Sequence, residues 1–110
     1  SLDGNATISV VQGVFSFVSG QIAKTGPDAM VLKTPVATLG IRGTKVAGSA
    51  AAEGQSNSIS LLPDADGSVG EISVTNGGGT VFLNQPGATT TISSAFQAPA
   101  PAIIIPVAPI

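Results

Sequence analysis

Val31-Leu32-Lys33-Thr34-Pro35-Val36-Ala37-Thr38-Leu39-Gly40-Ile41-Arg42-Gly43-Thr44-Lys45-Val46 is the stretch that decides how this chain is read. Apolar residues recur along it at strand-like spacing, and Pro35, Gly40 and Gly43 punctuate the run. It holds Lys33, Arg42 and Lys45, and of the basic residues only Lys24 lies outside it. An arginine set between Gly40 and Gly43, in a chain so poor in charge, needs a structural or chemical reason. The stretch reads as strands over 29–33, 36–41 and 44–47, hinged at Gly40 and Gly43, with Pro35 at a sheet edge or a strand start.

The same pattern continues on both sides. Residues 7–11 read as a strand with Ile8 and Val10 on one face. Residues 14–18 place Phe15 and Phe17 on one face and Val14, Ser16 and Val18 on the other. A short strand over 22–24 ends at the turn Thr25-Gly26-Pro27-Asp28. Segment 48–54 is rich in alanine and glycine and reads as a loop, a small-residue packing surface or one helical turn. Beyond it, 57–62 and 68–75 read as a hairpin across Pro63-Asp64-Ala65-Asp66-Gly67. Asn76-Gly77-Gly78-Gly79 turns into 80–83, and Asn84-Gln85-Pro86-Gly87 turns into the threonine-rich 88–93. About nine short strands with turns every 8–12 residues mark an all-β chain, in a solenoid-like or sandwich arrangement.

Composition shifts at Gln97. Residues 1–96 read as one β-domain and 97–110 as an extended Pro-rich tail, apolar where linkers are ordinarily polar. Proline cannot donate to a ladder, so the tail is not a central strand. Ile103, Ile104, Ile105, Val107 and Ile110 offer apolar side chains. A second copy of the chain is the favoured acceptor for them, as in strand-addition assemblies.

At 110 residues the chain is one domain at most, large enough to bury roughly 65% of its unfolded surface. It has no cysteine, histidine, tryptophan or tyrosine. Disulfides, thiolate and imidazole chemistry are therefore excluded, zinc, haem and iron–sulfur sites lose their usual ligands, and no cofactor is expected. Four basic and six acidic side chains give a net charge of −2. That leaves no basic face for nucleic acid. With 43% hydrophobic residues the chain is not a disordered one. No run reaches the ~20 apolar residues of a membrane helix. Ser1-Leu2-Asp3-Gly4 carries neither a basic nor an apolar leader region, so an exported protein would be present in mature or excised form.

Over residues 34–44, from Thr34-Pro35 through Leu39-Gly40-Ile41 to Arg42-Gly43-Thr44, the chain resembles the FecR-type domain. That family carries a Thr-Pro, a short apolar strand and an Arg-Gly-Thr signature. Gly13-Val14-Phe15-Ser16-Phe17-Val18-Ser19-Gly20 resembles its early strand, and Leu61-Leu62-Pro63-Asp64-Ala65-Asp66-Gly67-Ser68-Val69-Gly70-Glu71-Ile72 its later hairpin. The likeness covers about residues 7 to 95. It implies an all-β, solenoid-like domain outside the cytoplasm of Gram-negative bacteria. One branch of the family is the periplasmic part of a signalling regulator of iron uptake, and another is a module of large secreted or surface proteins. Lacking a transmembrane helix and a cytoplasmic anti-sigma segment, and ending in an apolar Pro-rich tail, the chain is closer to the second branch. The resemblance marks Thr34, Pro35, Gly40, Arg42, Gly43 and Thr44 as structural motif residues.

Three places could carry chemistry. Arg42 could bind a carboxylate of a partner through a bidentate fork. The preferred reading has it buried, spanning strands and paired with backbone carbonyls or with Glu71 or Asp66. Asp64, Asp66 and Glu71 suggest a calcium loop, but the spacing departs from an EF-hand and three carboxylates are too few, so a plain turn is preferred. Thr44 could attack its own preceding carbonyl at the Gly43-Thr44 bond, yet no histidine is available as base. With no histidine for a triad and no phosphate loop, the chain reads as no enzyme, with no small-molecule substrate.

The expected function is a non-catalytic structural or assembly module of a bacterial surface protein, extracytoplasmic, whether secreted, on the cell surface or periplasmic. Its expected partners are copies of itself, forming a filament through the tail, or other surface-protein domains. The alternatives are a periplasmic signalling module of a FecR-type regulator and a calcium-dependent adhesion module.

Overall fold

Alternation along each strand decides which face turns inward. In Thr38-Leu39-Gly40-Ile41-Arg42 the apolar Leu39 and Ile41 point one way, and in Asn57-Ser58-Ile59-Ser60-Leu61-Leu62 the inward set is Asn57, Ile59 and Leu61. The computed structural model describes residues 7–18 and 30–106. It contains β1 (Thr7–Ser9), β2 (Gly13–Val18), β3 (Met30–Lys33), β4 (Thr38–Arg42), β5 (Lys45–Ala50), β6 (Asn57–Leu62), β7 (Glu71–Asn76), β8 (Gly79–Leu83), β9 (Ala88–Ile92) and β10 (Ile103–Ile104). These form two five-stranded sheets, ordered β1-β3-β4-β7-β8 and β10-β9-β6-β5-β2. The fold is all-β and sandwich-like. The expected strand over 22–24, and the tail residues Val107 and Ile110, lie outside the described residues.

The chain is laid down as hairpins that alternate between the sheets. β3–β4 and β7–β8 belong to the first sheet, and β5–β6 and β9–β10 to the second. Each of the first three hairpins is followed by a step to the other layer. This corrects the hairpin expected of 57–62 with 68–75. β6 pairs with β5 and β9, while β7 pairs with β4 and β8. A turn such as Pro63-Asp64-Ala65-Asp66-Gly67 reverses or redirects the chain equally well. Only the pairing partners decide which: β6 and β7 each take the adjacent hairpin strand, β5 and β8, and a strand farther off in sequence, β9 and β4.

Two further boundaries differ from the sequence reading. Pro35 sits in the β3–β4 turn, and the strand begins at Thr38. Thr34 closes that turn: its Oγ1 accepts from the Ala37 N–H at 3.1 Å, and its own N–H donates to the Ala37 carbonyl at 2.9 Å. Residues 48–50, read as part of a loop, a small-residue packing surface or a helical turn, continue β5. Gly48 lies opposite Phe15 in the ladder, and the missing side chain leaves the space that the Phe15 ring fills. The loop after β5 is then held by buried Asn57. Its Oδ1 accepts from Ala51 N–H at 2.9 Å, and its Nδ2 donates to the carbonyls of Ala51 and Gln55 at 3.1 and 3.0 Å.

The core joins both sheets. Leu32, Leu39, Ile41, Ile72, Val74 and Leu83 from the first layer meet Val46, Ile59, Leu61 and Ile92 from the second. Burial of each large side chain stabilises by about 1.5–3 kcal/mol. Among the described residues no buried side-chain polar atom lacks a hydrogen-bond partner.

Candidate functional site

The Arg-Gly-Thr signature lies where the chain leaves β4 in one sheet and enters β5 in the other. Gly43 takes φ 61°, a left-handed conformation that a β-carbon would strain. Thr44 is fully buried, and its Oγ1 donates to the Leu62 carbonyl at 3.0 Å, tying the start of β5 to the end of β6. The second crossing, 63–70, runs directly alongside. A β-carbon at Gly70 would coincide with the Arg42 carbonyl, so only glycine lets the two crossings touch there. The signature is thus the joint between the layers.

Arg42 is exposed, which corrects the expectation of a buried arginine. The cause is the alternation of β4: with Leu39 and Ile41 facing inward, Arg42 must face out. Across the ladder from it stands Glu71. Arg42, Gly43, Ser68, Val69, Gly70 and Glu71 line an open cleft of about 310 Å³ at the joint. Of the remaining motif residues, Thr34 and Pro35 form the distant β3–β4 turn, and Gly40, expected as a hinge, instead lies mid-strand opposite Ser73, so Gly43 alone makes the bend.

The acidic turn next to this cleft follows turn chemistry. Asp66 Oδ1 accepts from the Ser68 N–H at 2.9 Å and from the Ser68 hydroxyl at 2.7 Å. The Asp64 N–H donates to the Ser68 carbonyl at 2.8 Å, and the Gly67 N–H to the Asp64 carbonyl at 2.9 Å. Among the described residues no cluster of three or more His, Cys, Asp or Glu side chains has metal-binding proximity.

The C-terminal segment is the second candidate. From Ser94 to Ile105 it forms a strap over its own domain. Asn76, at the tip of the β7–β8 hairpin, directs its Nδ2 at the carbonyls of Val36, Ser94 and Gln97, at 3.2, 3.0 and 2.7 Å. The Gly77 N–H donates to Ala95 O at 2.9 Å. From the β5–β6 loop, Glu53 Oε1 accepts from the Ala95 N–H at 2.8 Å. Hydrogen bonds from the Ser94 side chain and the Ala95 backbone hold the Glu53 carboxyl below the usual carboxylate range. Further on, the Ala100 N–H donates to Thr91 O at 3.0 Å, and Thr90 Oγ1 donates to the Ala100 carbonyl at 2.6 Å.

Ile103 and Ile104 then pair with Thr89 and Ala88 as β10, and the Ile105 N–H donates to Gly87 O at 2.9 Å. The tail is an edge strand, as its prolines require. Its main chain finds an acceptor in its own sheet, where the sequence favoured a neighbouring copy. Its side chains do not: Ile103, Ile104 and Ile105 remain 60%, 54% and 47% exposed. Sequence reasoning missed Asn76, Glu53 and Thr90, which hold the strap. The one available signal was Asn76 itself, an amide-bearing residue opening a run of three glycines.

No family model, no curated protein and no solved structure matches the chain. Among the described residues no helix is long and apolar enough to cross a membrane.

Proposed function

We propose that the chain is a non-catalytic, FecR-like structural module of a bacterial surface protein that works outside the cytoplasm and assembles with further copies through its C-terminal edge. The observation that carries this reading is β10. A sheet edge bearing three exposed isoleucines and no charge is an interaction surface, because edges left in water are ordinarily blunted by lysine, bulges or covering loops. Each isoleucine that a neighbour buries adds about 1.5–3 kcal/mol before ordering costs. The use of Gly43, Thr44 and Gly70 as a joint between layers supports a structural role for the Arg-Gly-Thr signature.

The test is the paired substitution Ile103→Lys and Ile105→Lys, read by sedimentation over a range of concentrations. The unaltered chain is expected to grow in size with concentration and the lysine variant to stay monomeric. An unaltered chain that stays monomeric throughout overturns assembly. A second reading, a periplasmic signalling module, draws on the open cleft that Arg42 and Glu71 help to line at the joint.

A further inference from the structure

We propose that Asn76 is a site of spontaneous deamidation, restrained by the strap that covers it, and that conversion of its amide to a carboxylate releases the strap. Asn76 is followed by Gly77, and a glycine leaves its main-chain nitrogen sterically open to the side chain before it. In the reaction the Gly77 nitrogen attacks Asn76 Cγ, and the side-chain amide leaves as ammonia, carrying away the Gly77 proton. Water then opens the five-membered imide at either carbonyl and yields aspartate or isoaspartate.

In the folded chain both reacting groups are occupied. The Gly77 N–H is committed to the Ala95 carbonyl at 2.9 Å. The Asn76 amide points its two N–H bonds at three carbonyl oxygens and accepts from the Gly78 N–H at 2.8 Å through Oδ1. Two of those three carbonyls, Ser94 and Gln97, belong to the strap, as does Ala95. Attack on Cγ therefore requires the strap to lift first.

The product is incompatible with the strap in place. A carboxylate has no N–H to donate, so at position 76 it would face the oxygens of Val36, Ser94 and Gln97 with no proton between them. Turn and strap are in close contact here, since a β-carbon at Gly78 would already meet the Ala98 nitrogen. Relief therefore requires that contact to open. Conversion runs one way, since ammonia is lost, and the strap is left open.

The experiment incubates the intact chain at mildly alkaline pH and follows Asn76 by peptide mapping with mass spectrometry, folded and in urea, alongside Glu53→Ala. Conversion is expected to be at least about tenfold faster in urea than in the folded chain, with Glu53→Ala in between, because loss of the bond to Ala95 loosens the strap. Equal rates in the folded chain and in urea overturn the restraint. Asn76→Asp, made directly, tests the release by hydrogen exchange. Exchange of the Gly77 and Ala100 amides is expected to rise at least about tenfold while β5–β6 ladder amides keep their protection. Unchanged protection at Gly77 and Ala100 overturns the release, and so does a uniform loss that reaches β5–β6.

Discussion

At the β4–β5 crossover the residues that fix the path belong to the two crossings themselves: Gly43 bends, Thr44 bonds across, and Gly70 lets the second crossing lie against the first. At the C-terminal strap the fixing groups belong mostly to other elements: Asn76 on one hairpin, Glu53 on another, Thr90 on the neighbouring strand. Gly43 and Thr44 are buried at the crossover, and Gly70 tolerates no added β-carbon against it. The strap is held mainly by hydrogen bonds to its main chain, with its large side chains in water. The joint is thus set by shape and the strap by donors and acceptors, and the two should fail under different insults.

Gly70→Val strikes the joint hardest. Its β-carbon falls on the Arg42 carbonyl, and the two crossings must separate to admit it. The expected loss is about 3 kcal/mol, or a fall in Tm of roughly 12–24 °C by thermal denaturation. An unchanged Tm would mean that the crossings part without strain and that shape does not set the joint.

Arg42→Ala, at the rim of the same joint, should do far less. Arg42 is exposed and stands across the ladder from Glu71, and opposite charges so placed contribute at most about 1 kcal/mol. Urea denaturation measures it. A loss above about 3 kcal/mol would be the behaviour of a buried, paired arginine instead.

The smallest effect is local and belongs to the strap. Glu53 has its carboxyl lowered by the Ser94 side chain and the Ala95 backbone. A depressed folded value means that its contribution is complete above the unfolded value and disappears as pH falls through the folded one. In a pH titration by NMR, the Ala95 amide resonance should move with a midpoint below the ordinary glutamate value. A midpoint at or above that value would remove Glu53 from the strap.

The strand faces that meet at the joint were legible in the sequence and the strap was not, for a physical reason. Alternation in 38–42 and 57–62 exposes the inward faces directly, and of the glycines bracketing Arg42 only Gly43 marks a bend. The same alternation already forces Arg42 outward, and the rarity of charge in the chain says nothing about burial. Crossing was mistaken for reversal at 63–67, because turn residues encode a change of direction but not the layer to which the chain returns. For the tail, prolines and isoleucines report what it cannot do in a sheet and what it would bury. They carry no trace of Asn76, Thr90 or Glu53, on which its placement depends.

The strap's attachments also set how the molecule responds to tension. Among the described residues, a pull on the C-terminal side loads the Ile105–Gly87 bond first, then β10, then Ala100, then the Asn76 and Glu53 clasps. Bonds met in succession give way one at a time, like a zip, at forces well below those needed to shear a sheet whose ladder is loaded all at once. The segment could therefore pay out a dozen residues of slack while the first sheet and the remaining four strands of the second stay closed: a built-in extension spring whose first movement leaves the core dry.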